Sequence, residues 1–174
     1  MATILSLSVV LILVVADQIS KYWASVVLAQ QGPIPLIPDV FEFHYTENRG
    51  VAFSMLQGQQ YIFIPLTIIM TVALVLMLLR SPMRNSKLFR ASIILVIAGA
   101  IGNLIDRILL GYVIDFLYFS LIDFPIFNVA DCFVVVGAIL LFLFVMFGMK
   151  EYEETPLRTL LFNVKKRQKG SGHG

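Results

Sequence analysis

The sequence predicts an all-α integral membrane protein, with four transmembrane helices and a small β-element on the outer side. Two compositional facts and one pattern lead there. Of the 174 residues, 59% are hydrophobic and only 14% charged, outside the range of a soluble domain this size. Four apolar stretches, residues 4–28, 61–79, 91–110 and 129–149, each come near or exceed the ~20 residues a helix needs to cross the hydrocarbon. Basic residues gather in the connection holding Arg80, Arg84, Lys87 and Arg90 and in the tail after residue 149, while the connections at 29–60 and 111–128 hold Arg49 alone. By the positive-inside bias, both termini are expected to be cytoplasmic. The net charge of +2 therefore reflects topology and attraction to anionic lipid, and no nucleic-acid partner is expected.

The elements follow in order. The first span has no basic residue ahead of its apolar run, and it continues through Asp17 and Lys21 without a small-residue cleavage site, so it reads as retained. The stretch "QQGPIPLIPD" is too rich in proline for a regular helix. "VFEFHYTENRGVAFSML" alternates through Phe41, Phe43 and Tyr45, breaks at "ENRG" and resumes, which predicts a hairpin within about 36–58. Lipid cannot satisfy an open strand edge, so this element belongs at the water interface. The aromatic segment 111–128 is expected to lie on the membrane surface. Residues 1–149 thus make one membrane domain, followed by a basic cytoplasmic tail, 150–174, whose end, "GSGHG", reads as an expression scar.

Ionisable residues in spans are expensive, so each needs an account. At ~1.5 Å per residue, Asp17 and Asp106 lie about 20 and 24 Å from the inner surface, and Asp131 opens the inward-running last span. Three helices therefore place carboxylates in the outer half of the membrane. Residues three or four apart share a helix face, which groups Asp17 with Lys21, Asn103 with Asp106 and Arg107, and Asn128 with Asp131. Asp17 with Lys21 reads as a structural ion pair. Asp106 is expected to be engaged by the adjacent Arg107. Asn128 fits a helix N-cap with Asp131 in the first turn.

Asp115 in "GYVIDF" lies sixteen residues before Asp131 and lacks a local partner. Two carboxylates brought together at a partly dry site share one proton, the state aspartic proteolysis requires. Other chemistries fit less well. Cys132 is the single cysteine, so no internal disulfide forms, and neither His44 nor His173 stands in a context for Cys-His catalysis or zinc. Arg107 argues against an oxygen-ligated cation, and no metal or cofactor is expected. A small ion-coupled transporter, with carboxylates at mid-membrane, and a non-catalytic scaffold remain as alternatives.

Five ordered motifs, "DQISK", "ENRGVAFS", "GNLIDR", "VIDF" and "FNVAD", resemble the lipoprotein signal peptidases (signal peptidase II) of bacterial inner membranes over roughly residues 10–148. The resemblance implies an endopeptidase that cuts preprolipoproteins just before a diacylglyceryl-modified cysteine. It implies a catalytic dyad at Asp115 and Asp131. It also implies supporting roles for Asp17, Lys21, Asn48, Gly50, Asn103, Asp106, Arg107, Asn128 and Ala130. Cys132 departs from the family pattern, where a serine is common. Such an enzyme is expected to act as a monomer in membrane lipid, with its site near the outer face and the segment 111–128 as a lid over it.

Overall fold

The computed structural model describes residues 2–50 and 60–148. Its helices are α1 (Ala2–Trp23), α2 (Gln60–Arg80), α3 (Lys87–Leu109) and α4 (Val129–Leu143); its strands are β1 (Ile34–Ile37), β2 (Phe41–Asn48) and β3 (Val113–Tyr118). α1 runs on through a π-helical stretch, Ala24–Leu28, to a last turn at Ala29–Gln31, and α4 through another, Phe144–Gly148. Among the described residues, three helical stretches, Thr3–Gln31, Lys87–Leu109 and Val129–Gly148, are long and apolar enough to cross a membrane. α2 contributes a shorter apolar stretch, Ile64–Arg80.

α3 is the central helix and packs against α1, α2 and α4. The main core joins Val10 and Val14 of α1, Leu78 of α2, Ile93, Ile97 and Ala98 of α3, and Phe144 beyond α4. Leu109 and Phe147, by contrast, are 74% and 75% exposed, the outward apolar surface expected of helices solvated by lipid. α3 begins at a serine cap, where Ser86 accepts from the Phe89 amide. Gly32 and Gly111, both with φ of +81°, turn the chain out of α1 and α3.

The strands form one antiparallel sheet in the order β1-β2-β3. Among the described residues the partners of β2 come from before it and from the segment 111–128. β1 is built from the proline-rich stretch: as an edge strand it tolerates Pro35, which sits opposite Glu42. β2 runs past Tyr45 to Asn48. The second arm of the expected hairpin, residues 51–56, and the tail 150–174 lie outside the described residues.

The expected lid segment begins as strand β3. After a 3₁₀ turn at Ser120–Ile122 the chain returns along β3, with Phe127 exchanging backbone hydrogen bonds with Leu117 at 2.8 and 3.0 Å. That closure brings the start of α4 back beside Asp115. The sheet packs on the end of α1 through Trp23, edge-on to Phe43 at 5.1 Å and Phe116 at 6.2 Å, and through Ala24 and Leu28 against Ile114 and Phe116.

Candidate active site

Asn128 stands at the centre of the site. Its Oδ1 accepts from the Asp131 amide at 2.9 Å, and Asp131 Oδ2 accepts from the Asn128 amide at 3.1 Å. This is a capping box at the start of α4, so the expected cap is present. The same side chain, fully buried, also donates through Nδ2 to Asp115 Oδ1 at 2.6 Å and to Asn103 Oδ1 at 3.0 Å. Asn103 Nδ2 in turn donates to Asp131 Oδ1 at 2.7 Å. Two mutually bonded amides therefore each deliver an N–H to one of the two carboxylates.

Asp115 receives a second donor, Asn48 Nδ2, at 3.0 Å on Oδ2, and Asn48 is oriented by the Gly50 amide donating to its Oδ1 at 3.1 Å. Asp115 is 2% exposed, whereas Asp131 is half-buried. Burial first, and the charge of Asp131 second, push the Asp115 carboxyl up from 3.8 to about 7, against the opposing hydrogen bonds from Asn48 and Asn128. A carboxyl so placed holds a proton near neutrality beside a second carboxylate that is more open to water, as a shared-proton dyad requires.

Behind this pair lies a buried ionic cluster. Lys21 Nζ, 1% exposed, sits 3.0 Å from both Asp17 Oδ2 and Asp106 Oδ2 and donates to Asn103 Oδ1 at 2.9 Å. Asp17 Oδ1 accepts from the Ala130 amide at 2.8 Å, tying α1 to the first turn of α4. Asp106 Oδ2 accepts from the Ile114 amide at 3.1 Å, tying α3 to β3. The expected Asp17–Lys21 pair is thus present. Among the described residues, however, the ion pair of Asp106 is with Lys21 and not with its neighbour Arg107, because consecutive helical residues do not face one another. Arg107 instead donates to the Asn103 carbonyl at 3.4 Å, with its charge in reach of Asp131, Asp115 and Asp106.

Every candidate from Asp17 to Asp131 falls within this one network. Sequence reasoning missed Gln18, whose Nε2 lies 3.0 Å from Asp106 Oδ1 and 3.2 Å from both Asp17 Oδ2 and the Gly102 carbonyl. The signal was available, since Gln18 is a polar residue inside a span, next to Asp17 in "DQISK". His44 is a strand residue, as read, 3.2 Å from Glu42.

Residues 9–147 match the family model described as Signal peptidase (SPase) II. The chain belongs to the signal peptidase II family. Relatives of that family include a lipoprotein signal peptidase of Clostridioides difficile, 44% identical over 140 residues that cover 80% of this chain and 93% of the relative. Another, from Caldanaerobacter subterraneus subsp. tengcongensis, is 42% identical over 79% of this chain and 92% of its own length. The fold is similar to that of a bacterial membrane enzyme solved at 1.9 Å by the in meso method, with a TM-score of 0.74, 32% identity, and coverage of 82% of this chain and 92% of that one. As a signal peptidase II, the chain is an aspartic protease of the membrane, and the transporter and scaffold readings fall away.

Proposed function

We propose that this chain removes the signal peptide from diacylglyceryl-modified preprolipoproteins, cutting just before the lipidated cysteine, with Asp115 and Asp131 as the dyad. One observation carries the assignment: the bonded amides of Asn103 and Asn128 each donate to one member of the pair, at 2.7 and 2.6 Å. Asp115, held up to about 7, supplies the proton, and Asp131 acts as the base. Asp131 takes a proton from water as its oxygen attacks the scissile carbonyl. Asp115 passes its proton to the carbonyl oxygen as that bond becomes single. When the tetrahedral intermediate collapses, the oxygen's proton returns to Asp115, and Asp131 gives its proton to the departing amide nitrogen. Arg107 steadies the negative charge, and Asn48 and Asn128 orient Asp115.

Four spans, with both termini cytoplasmic, fit the basic residues Arg80, Arg84, Lys87 and Arg90 where α2 ends and α3 begins. They put the sheet and the dyad near the outer face, at the depth where a lipidated cysteine leaves its signal helix. The sheet and segment 111–128 then form a cradle and lid around the diacylglyceryl group, and the enzyme works as a monomer among lipids. Purified wild type, Asp115→Asn and Asp131→Asn in detergent should be given lipidated and unlipidated preprolipoprotein. The expected result is cleavage of the lipidated form alone, lost by at least ~10³-fold in either variant while thermal melting persists. Retained turnover in either variant would overturn the dyad, and equal cleavage of the unlipidated form would overturn the specificity.

A further inference from the structure

Arg49 is the lone basic residue of the two outer connections, and the mechanism above leaves it without a role. Its guanidinium is 2.7 Å from Glu47 Oε2 and stands over the Tyr112 ring at 5.0 Å from the centroid. Glu47 also accepts from the Tyr45 hydroxyl at 3.4 Å. In the β2–β3 ladder Asn48 pairs with Val113, Glu47 with Ile114, and Thr46 with Asp115. Side chains alternate along a strand, so Asn48 and Asp115 share one face as diagonal neighbours while Glu47 and Arg49 share the other.

We propose that Arg49 is a positioning residue: bonded to Glu47 and stacked on Tyr112 behind the ribbon, it fixes the turn that aims the Asn48 amide at Asp115. The proposal rests on the reading of Asp115 as the dyad's acid. The turn itself is short, since the Gly50 amide closes it by donating to Asn48 Oδ1 at 3.1 Å. Arg49 flanks Asn48 on one side and Glu47 on the other, so the pair brackets the residue it steadies. With Arg49 64% exposed and Glu47 36%, the ion pair contributes little to stability, and loss of it leaves the fold standing. Its leverage is geometric, because among the described residues Asn48 and Asn128 are the two amide side chains donating to Asp115.

Among the described residues, the groups that act on the Asp115 carboxyl are Asn48 of β2, Asn128 and Asp131 at the start of α4, Lys21 of α1 and Arg107 of α3, with Thr46 opposite it in the ladder. Of these, Asn48 pulls the Asp115 carboxyl down, so a loosened Asn48 lets it rise. The test is the pH–rate profile of the purified full chain on diacylglyceryl-modified preprolipoprotein. Arg49→Gln and Glu47→Gln, breaking the same pair from its two ends, should each move the alkaline limb up by about half a pH unit and lower kcat about threefold with KM unchanged. Asn48→Ala should move it further, and Arg49→Gln added to Asn48→Ala should change nothing more. Raising ionic strength to about 0.5 M should shift the wild-type limb in the same direction. A limb unmoved in both single variants, an effect on KM alone, or a full Arg49 effect persisting without Asn48 would each overturn the role. Activity surviving in Asp115→Asn would instead sink the dyad, so the two failures are distinguishable.

Discussion

At the scale of single residues, the site is built from amides that do two things at once. Asn128 caps α4 with its oxygen and holds Asp115 with its nitrogen, so the cap and the proposed dyad share one side chain. The amide orientation is forced, since only Oδ1 can accept the Asp131 N–H and only Nδ2 can donate to a carboxylate. Asp115 then dictates a pH dependence. Its carboxyl is raised by burial to about 7, and the proposed mechanism needs its proton, so activity should fall tenfold per pH unit above about 7. The same shift bears on stability with a definite sign. The contribution of Asp115 is fully present below the ordinary value of 3.8 and is lost as pH rises through about 7. Melting temperature in detergent should therefore decline between pH 4 and 7 in the wild type, and that decline should shrink in Asp115→Asn. A profile flat across this window in both forms would contradict the burial argument.

At the scale of elements, close approach of α3 to α1 and α4 sets the site's dimensions. A Cβ on Gly102 would lie 2.5 Å from Asp17 Oδ2 and 3.2 Å from the Ala130 Cβ. Asp17 is the residue that holds the Ala130 amide, so pushing it away displaces the first turn of α4 and with it Asp131. Gly102→Ala should destabilise the protein by about 1–3 kcal/mol and cost at least ~10-fold in kcat. Gly137→Ala is the control: its Cβ would meet Val96 Cγ2 at 2.7 Å and the Ser92 carbonyl at 2.9 Å, in the same α3–α4 seam. It should lower the melting temperature comparably with activity per folded molecule retained. How much of this was legible in the sequence depended on how local the cause was. Helix length, the cap at Asn128 and the Asp17–Lys21 pair follow from spacing along one chain segment. The pairing of β2 with β1 and β3 does not, because Pro35 argues against helix without naming an edge strand, and register is set by distant partners. Adjacency misled in one place: Asp106 lies next to Arg107 in sequence, yet its cation comes from α1.

At the scale of the whole molecule, Lys21 ties together the three helices that carry the site. Its ammonium meets Asp17 of its own helix, Asp106 of α3 and, through Asn103, the carboxylate of Asp131 on α4. Asp17 and Asp106 pass that constraint on to α4 and β3 through the Ala130 and Ile114 amides. A group this buried contributes little net stability against a well-packed apolar substitute of the whole cluster, but removing one partner leaves like charges facing each other without water. Lys21→Met should accordingly cost about 3–5 kcal/mol, enough to lower the melting temperature sharply and to scramble the Asp115–Asp131 geometry. In Lys21→Met/Asp106→Asn one of the two stranded charges is gone as well, and an amide at position 106 can still accept from the Ile114 N–H. The double variant should therefore melt above Lys21→Met alone, although it has lost more native polar groups. Detergent-phase melting curves of the two single variants and the double variant make this cycle. If the double variant is as unstable as the sum of its parts, the cluster is not acting as a unit, and the three helices are held together by packing around Ile93 and Ile97 instead.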